Sequence, residues 1–419
     1  MNYESKKIYV FENWSSDNPR RIGFLYADNV KGKEHFSFEF DERYLESDNN
    51  RFVLDPDVAF VRGRQFINDK ANFGMFSDSV PDRWGRLLIK RREELMAKRE
   101  ERKPKSLTES DYLLGVCDET RMGALRLSLD DGETFLSDEK TDAAPPFTTL
   151  RTLEEAAREF EKNEDPFNEK WLNQLLIPGS SLGGARPKAT VRDVDGSLWI
   201  AKFPSKHDDN DTGAWEKVTH DLAALAGLNV PPSKLQKFSS YGSTFLVKRF
   251  DRRLSQRIHF ASAMTMLGEV DGASAASGAG YLQIADFLRS KGGYPQEDLI
   301  ELWKRIVFNM AVSNTDDHLR NHGFLLGDKG WRLSPMYDMN PNPSGDMLSL
   351  NISEESNMID IDLAVDTARY YGISTSDAKD LAAEICNTVN RNWERLAKEY
   401  NISRGNIELM SPAFMASKM

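Results

Sequence analysis

The sequence is poor in cysteine, with only Cys117 and Cys386 among 419 residues. Two cysteines so far apart cannot build a disulfide framework or a cysteine-rich zinc site, which fits a reducing compartment. Long apolar runs are also lacking, because no stretch approaches the about 18 residues of a membrane span and the N-terminus MNYESKKIYVFENW has no signal-peptide core. We therefore expect a cytoplasmic protein without membrane contact, in which any metal has oxygen ligands.

Positive charge is in deficit, with 55 Lys and Arg against 66 Asp and Glu and a formal net charge of -11. Domains that bind mainly the phosphate backbone of nucleic acid usually carry a basic surface, so this balance argues against that class. The segment Lys90–Lys105 is a local exception, with eight Lys or Arg residues among four Glu. It is interpreted either as a solvated helix laced with ion pairs or as a contact surface for nucleic acid or an acidic partner.

Large apolar residues are plentiful, with 8 Trp and 23 Phe, and 40% of the residues are hydrophobic, which excludes general disorder. A chain of 419 residues is long enough for two or three domains with their own cores. The runs KKIYVF, RIGFLYA and HFSFEF predict strands, and a helix is predicted around Trp84–Met96. The polar run Asp130–Thr149 contains a Pro pair and predicts a boundary near residue 148.

The second half of the chain changes from strand patterns to helical ones. A hairpin is predicted around the turn Val194–Gly196, with Lys202 on its second strand, followed by a helix over Ala214–Leu225 and the strand STFLVKRFD. In EDLIELWKRIVFNMAVSN the apolar residues recur at three and four positions, which predicts a helix with one buried face. A further hairpin, FLLGDKGWRLSP, and a C-terminal amphipathic helix around Leu381–Leu396 complete the pattern.

The segment NTDDHLRNH, Asn314–His322, follows the first of these helices and carries the clearest chemical signal. Asp316 and Asn321 have the Asp-x4-Asn spacing of kinase catalytic loops. In such loops the carboxylate orients the acceptor hydroxyl and takes its proton, and the amide oxygen completes the shell of a Mg2+ ion. Asp338, seventeen residues after Asn321 and beyond the predicted hairpin, is a second carboxylate that could hold this metal.

A phosphoryl-transfer site also needs a cation on the nucleotide phosphates. Lys202 in WIAKF matches the strand lysine of kinases, and Glu216 on the following helix is its expected anionic partner. Upstream, PGSSLGGARPK supplies Gly183 and Gly184, whose amides could approach phosphate oxygens. This is not a Walker A loop, because Ala185 follows Gly184. Each feature alone is weak, but together they follow the order of a two-lobed kinase.

Two other classes compete with a kinase. A zinc hydrolase would use His318 and His322, which are four residues apart, but the position of its general-base Glu is Leu319 and the segment is predicted as a loop. In the kinase interpretation His318 orients the loop by hydrogen bonding. A kinase-like fold retained only for binding, such as a catalytically silent corepressor, remains the non-enzymatic alternative.

Five segments carry a family resemblance: SSLGGARPKA, AKFPS, FLVKRFDR, SNTDDHLRNHGFLL and LSPMYDMNP. They resemble the HipA family of serine/threonine kinase toxins from bacterial toxin-antitoxin modules. The resemblance implies an α+β, two-lobed protein-kinase-like fold. An N-terminal mixed α/β accessory subdomain would span 1–148, an ATP-binding portion 149–250, and a mainly helical C-terminal lobe 251–419.

Carried over residue by residue, the resemblance makes Asp316 the catalytic aspartate and Asn321 and Asp338 the Mg2+ ligands. The remaining ATP-binding residues that it implies are Gly183, Gly184, Ala185, Arg186, Pro187, Lys188, Lys202, Lys248, Arg249, Phe250, His318 and Tyr337. Members of the family can autophosphorylate a serine of the Gly-rich loop and so inactivate themselves. Ser181 is the matching position, with Ser180 adjacent, and a phosphate there would oppose binding of nucleotide phosphates.

The resemblance also implies partners. The usual one is a small helix-turn-helix antitoxin, HipB-like, through which DNA is reached indirectly, and known targets of the family include aminoacyl-tRNA synthetases. The acidic net charge of -11 suits a protein that reaches DNA through such a partner. Arg186-Pro187 departs from the small polar and acidic residues expected before Lys188. The expected function is therefore an ATP- and Mg2+-dependent growth-inhibiting protein kinase, or a related kinase outside a toxin module.

Overall fold

The structure is a computed structural model that describes residues 4–47, 52–67, 69–136, 143–162, 174–175, 186–253 and 256–418. Its strands are β1 (Glu4–Glu12), β2 (Arg20–Val30), β3 (Lys33–Phe40), β4 (Gln65–Phe66), β5 (Leu125–Ser128), β6 (Lys188–Arg192), β7 (Leu198–Lys202), β8 (Ser233–Gln236), β9 (Thr244–Lys248), β10 (Arg252–Arg253), β11 (Gln256–Arg257), β12 (Phe260–Ser262), β13 (Gly323–Gly327) and β14 (Gly330–Leu333).

The helices of the described residues are α1 (Glu42–Glu46), α2 (Gly74–Ser77), α3 (Arg83–Arg99), α4 (Glu109–Leu114), α5 (Leu150–Lys162), α6 (Thr212–Leu225), α7 (Ala263–Met266), α8 (Tyr281–Lys291), α9 (Pro295–Ala311), α10 (Ile361–Thr367), α11 (Thr375–Glu399) and α12 (Arg404–Met410). None of them is both long and apolar enough to cross a bilayer.

The chain forms two compact units, one of Met1–Lys206 with Asp251–Ala261 and one of His207–Phe250 with Ser262–Met419. Both units mix strands and helices, which confirms the α+β class. The finer division at residues 148 and 250 stays a prediction.

The first unit contains an antiparallel sheet with the order β4-β3-β2-β1-β5. Alternation explains its core, because in β1 Ile8 and Val10 are fully buried while Lys7 before them is exposed and Tyr9 between them is half-buried. On the buried face, Phe38 of β3 packs against Phe73 and Phe76 in a cluster rich in phenylalanine. All three strands predicted from the N-terminal runs are thereby confirmed.

The first part of the basic segment, up to Arg99, lies on α3, and the helix predicted around Trp84–Met96 is confirmed. Several of its cations have acidic partners: Arg91 contacts Glu94, and Arg102 contacts Glu93 and Glu100. These pairs fit the interpretation of a solvated helix with ion pairs on its surface.

The first unit also contains the hairpin of β6 and β7, in which Lys188 lies opposite Lys202. Gly196 closes its turn with φ of 82°, a left-handed conformation that glycine adopts without strain. The hairpin and its lysine strand are confirmed.

The second unit is built around α9, whose apolar residues Leu302, Trp303, Ile306, Val307 and Met310 are completely buried. Pro295 at the first position starts this helix without losing a hydrogen bond. The hairpin of β13 and β14 follows the loop after α9, and α11 packs on α9. The helices and the hairpin predicted for this region are confirmed, and they place NTDDHLRNH between the end of α9 and β13.

Candidate active site

The NTDDHLRNH loop begins where α9 ends. Ser313 has φ of 47°, a left-handed conformation that is strained for a residue with a side chain, and it turns the chain out of the helix. The amide of the next residue, Asn314, donates to the carbonyl of Asn309 on the last turn of α9, at 2.8 Å. The loop is therefore attached directly to the buried last turn of α9.

Asp317 anchors this loop from inside. It is 2% exposed, and its Oδ2 accepts hydrogen bonds from the Tyr281 hydroxyl at 2.6 Å and the Asn309 Nδ2 at 2.7 Å. The same oxygen lies 2.8 Å from the Nε2 of buried His322. Burial and the Asp317 carboxylate raise the pKa of Tyr281 well above its usual range, so this phenol stays a donor. Three elements, α8, α9 and the end of the loop, are tied to one carboxylate.

Asp316, beside this anchor, is exposed. Partial desolvation raises the pKa of Asp316, the nearby carboxylates of Asp338 and Asp317 raise it further, and His318 opposes the rise. The Nδ2 of Asn321 donates to the backbone carbonyl of Asp316 at 2.9 Å. The two residues of the Asp-x4-Asn spacing are thus brought together, with the carboxylate directed to solvent.

Asp338 is brought to this loop by contacts on either side of it. Its own backbone is left-handed, with φ of 59°. Before it, the Tyr337 hydroxyl donates to the carbonyl of Arg320 at 2.8 Å, and after it, the amide of Asn340 donates to the Asn314 side chain at 3.2 Å. The effect of Asp338 on the pKa of Asp316 follows from this proximity.

The donor set at this place fits a magnesium ion. Asp338 supplies carboxylate oxygens, which Mg2+ prefers, and its repulsion of the Asp316 carboxylate is of the kind that a divalent cation relieves. The Nδ2 of Asn321 is committed to the Asp316 carbonyl, which leaves its Oδ1 as the atom suited to a metal. Asn321 and Asp338 are therefore the residues that would hold the ion.

The two histidines have different surroundings. His322 is buried against Asp317, whereas His318 is half-buried and the Nδ1 of its ring has no hydrogen-bond partner in the described ranges. The His322 ring therefore holds the loop through Asp317, and the orienting role predicted for His318 stays a prediction. The turn between them, Leu319–Asn321, is a 3-10 turn and not the helix on which two zinc ligands four residues apart would share a face.

Other predicted nucleotide residues lie in the first unit. Lys202 ends β7 and is half-buried, and Lys188, opposite it on β6, is 7% exposed. Arg186 and Pro187 lead into β6, where the amide of Phe203 donates to the Pro187 carbonyl at 2.9 Å. The positions Ser180, Ser181, Gly183, Gly184 and Ala185 lie outside the described residues, so the Gly-rich loop stays a prediction.

The remaining predicted residues belong to the second unit. Glu216 is 5% exposed on α6, and its pairing with Lys202 stays a prediction. Lys248 ends β9 and donates its amide to the Pro232 carbonyl at 2.9 Å. Arg249 and Phe250 follow it, and the Phe250 ring lies 5.6 Å from that of Tyr337. The segment proposed for the adenine side is thus joined to the segment that carries Asp338.

Sequence reasoning missed the buried support of the loop, namely Tyr281, Asn309, Asp317 and the structural role of His322. The only available signal was the polar Asn309 in the otherwise apolar last turn of α9, because a buried amide requires hydrogen-bond partners. Tyr281 is 36 residues from Asp317, so no local pattern could connect them.

Gly345 lies close to Thr315 of the loop, and its replacement by alanine should slow the phosphoryl transfer that the sequence predicts. A Cβ there would overlap the Cγ2 of Thr315, next to Asp316, and Thr315 is held by the Nδ2 of Asn342 at 2.7 Å. Displacing the loop by a fraction of an ångström to 1 Å is expected to lower phosphoryl transfer by about ten- to a hundredfold. The measurement is the initial rate with labelled ATP, beside Gly405→Ala, where no atom lies within 4 Å of the new Cβ. Equal rates for the two variants would contradict this prediction.

Comparison with known proteins decides the family. A family model described as the HipA-like C-terminal domain matches residues 180–393, just over half of the chain. The chain belongs to the HipA family. The matched range contains the Gly-rich loop, Lys202, Glu216, the whole NTDDHLRNH loop and Asp338.

Curated relatives of this HipA-family chain include two proteins of Sinorhizobium fredii. The chain is 30% identical over 183 residues to "Putative kinase Y4mE" and 25% identical over 184 residues to "Putative kinase Y4dM". The alignments cover 38% and 41% of this chain and 41% of each relative. The chain thus matches less than half the length of these relatives.

Among solved structures, a chain of the Shewanella oneidensis toxin-antitoxin complex of HipA, HipB and operator DNA has the same fold. The TM-score is 0.62 at 15% identity, and the match covers 98% of this chain and 96% of the other. At this identity the likeness concerns the fold alone, and it confirms the kinase-like α+β architecture predicted for a HipA-family chain.

Proposed function

We propose that the chain is an ATP- and Mg2+-dependent serine/threonine protein kinase. The observation that supports this most is the pair of adjacent aspartates, of which Asp317 is buried and fixed by three partners while Asp316 is exposed beside Asn321 and Asp338. A carboxylate that must accept a proton from a substrate hydroxyl has to be accessible and rigidly placed. The names of the two curated relatives support the kinase part of this proposal.

In this proposal each residue has a defined task. When bound, magnesium ATP supplies the phosphoryl group and the neutralisation of phosphate charge. Asp316 orients the acceptor hydroxyl and takes its proton, and Asn321 and Asp338 hold the metal. Lys202, positioned by Glu216, binds the phosphates, together with the Gly-rich loop that runs to Lys188. The segment Lys248–Phe250 borders the adenine.

The finer part of the proposal is that the kinase acts as a growth-inhibiting toxin. Membership of the HipA family supports this role, as does the fold shared with a protein whose structure was solved with HipB and operator DNA. We propose a helix-turn-helix antitoxin as the neutralising partner, with DNA reached only through it. A translation component such as an aminoacyl-tRNA synthetase is the proposed substrate, and Ser181 the proposed autophosphorylation site.

The kinase proposal is tested by incubating dephosphorylated protein with labelled ATP and Mg2+, followed by peptide mapping. Label is expected on Ser181 in the parent and in Ser180→Ala, and none on the corresponding peptide of Ser181→Ala. Absence of any transfer, to the chain or to an added synthetase, together with absence of ATP binding would overturn the proposal in favour of a silent corepressor.

The toxin role is tested separately by induced expression in a bacterial host. Growth should stop with the parent chain, continue with Asp316→Asn, and resume when the antitoxin is co-expressed. Normal growth with a chain that is active in the labelled-ATP assay would assign it instead to a kinase outside toxin modules.

A further inference from the structure

A cavity of about 740 Å³ lies in the second unit, at the start of α9. We call it the α9 pocket, and its main walls are Arg289, Tyr294, Gln296, Leu299, Arg369 and Tyr370. The catalytic loop follows the other end of α9, and a helix of 17 residues is about 25 Å long. The α9 pocket is therefore separate from the catalytic loop.

Two arginines form one side of the α9 pocket. Arg289 donates to the carbonyl of Tyr370 at 2.7 Å and pairs with Asp286. Arg369 donates to the Tyr370 hydroxyl at 3.0 Å, and its guanidinium lies 4.9 Å from the centre of that ring. Across the described ranges no carboxylate contacts Arg369. At least one guanidinium is thus left to bind an anion.

The rim of the α9 pocket is also cationic. Lys329 and Arg332 lie 4.9 Å and 4.3 Å from the centre of the Tyr294 ring. Arg332 is engaged by Glu297 and Asp298, whereas no carboxylate contacts Lys329 in the part of the chain that the structure describes. Glu297 also lines the cavity, but it is paired with Arg332. In a chain with a net charge of -11, the two cations that no described carboxylate contacts, Arg369 and Lys329, favour an anionic ligand.

The tyrosines indicate which kind of anion fits. Tyr294 and Tyr370 are 39% and 42% exposed, and each ring has a cation on it, so the pair does not form a slot for a stacked nucleotide base. Exposed tyrosines beside arginines, with Pro295 and Leu299 as an apolar floor, are typical of surfaces that bind peptides. The guanidinium groups can each receive a carboxylate with two parallel hydrogen bonds.

We propose that the α9 pocket binds an acidic peptide segment of a partner protein. The binding itself does not depend on kinase activity. A link to catalysis rests on the kinase proposed above. About eight extended residues would span the roughly 25 Å from the α9 pocket to the catalytic loop, so one protein substrate could occupy both.

The test is a fluorescence-anisotropy titration of the full chain, without ATP, into a fluorescein-labelled peptide Glu-Glu-Tyr-Pro-Glu-Glu. The same peptide with Gln in place of every Glu is expected to bind at least tenfold more weakly. The double variant Arg289→Ala, Arg369→Ala should weaken binding of the acidic peptide at least tenfold, and Arg369→Ala alone at least threefold. The matched control is Arg395→Ala with Arg404→Ala, whose side chains are 55% and 92% exposed on other helices and whose binding should equal that of the parent.

Three results would overturn the proposal: no binding of the acidic peptide, equal binding of the two peptides, or an equal loss in the matched control. Displacement of the peptide by adenosine monophosphate at lower concentration than by unlabelled peptide would also overturn it, in favour of a nucleotide site. Since no ATP is present, a negative result leaves the kinase proposal untouched, and a chain without kinase activity can still bind the peptide.

Discussion

Replacing Asp316 by asparagine is expected to lower phosphoryl transfer by about a hundred- to ten thousandfold, the range that a positioned general base contributes. The amide keeps the size of the carboxylate but cannot take the proton of the acceptor hydroxyl. Because Asp316 is exposed and its backbone carbonyl, not its side chain, receives the Asn321 hydrogen bond, the loop should keep its shape. The measurement is the initial rate of label transfer from ATP at saturating Mg2+.

The control for this experiment is Asp328→Asn, which neutralises an exposed carboxylate in the turn between β13 and β14. That variant should transfer phosphate at the parent rate and melt at the parent temperature. A rate for Asp316→Asn within about threefold of the control would remove Asp316 from the reaction, since a general base contributes far more than this. A silent corepressor would show no transfer in any of the three proteins.

The second large effect is expected from Asp317→Ala, and it concerns stability. The substitution leaves the Tyr281 hydroxyl and the Asn309 amide buried without their acceptor and removes the partner of His322. Breaking a buried charged network of this kind costs about 3–5 kcal/mol. We expect the free energy of unfolding to fall by that amount, and the melting temperature by about 2–4 °C for each kcal/mol.

The neighbouring Asp316→Ala is the matched control, because the same change at an exposed position should alter the free energy of unfolding by no more than about 0.5 kcal/mol. Should Asp317→Ala fail to fold, Tyr281→Phe removes only one of the three hydrogen bonds and should cost about 1–3 kcal/mol. Urea denaturation followed by tryptophan fluorescence measures the free energy of unfolding of each variant. Equal urea midpoints for Asp317→Ala and Asp316→Ala would show that the hydrogen bonds to Asp317 do not stabilise the loop.

The spacing of apolar residues along the sequence was sufficient to predict many of the helices and strands. The apolar residues of α9 recur at three and four positions because one face of the helix is buried, and the N-terminal strands alternate because one face of their sheet covers a core. Lys202 was correctly placed on a strand because the turn at Gly196 fixes the hairpin register around it. These features depend on neighbours in sequence, so a single sequence contains them.

The candidate site was predictable only in part. The Asp-x4-Asn spacing selected Asp316 and Asn321 because a short loop constrains both. The contact of His322 with Asp317 was not predicted, since it depends on burial that the sequence does not record, and the role predicted for His318 stays a prediction. The left-handed backbone at Ser313 and Asp338 was equally hidden, because serine rarely adopts that conformation and aspartate, although enriched in it, adopts it at few positions.

The sequence by itself determined the class of the protein: its family, the order of its elements and the residue types needed for phosphoryl transfer. Tertiary structure alone decided that Asp317 is the buried support of the loop and that Asp338 approaches Asp316. It also decided that Arg289 and Arg369, eighty residues apart, line one cavity. The physical reason is the same in each case: burial, charge proximity and cavities arise from contacts between residues distant in sequence, which no local pattern records.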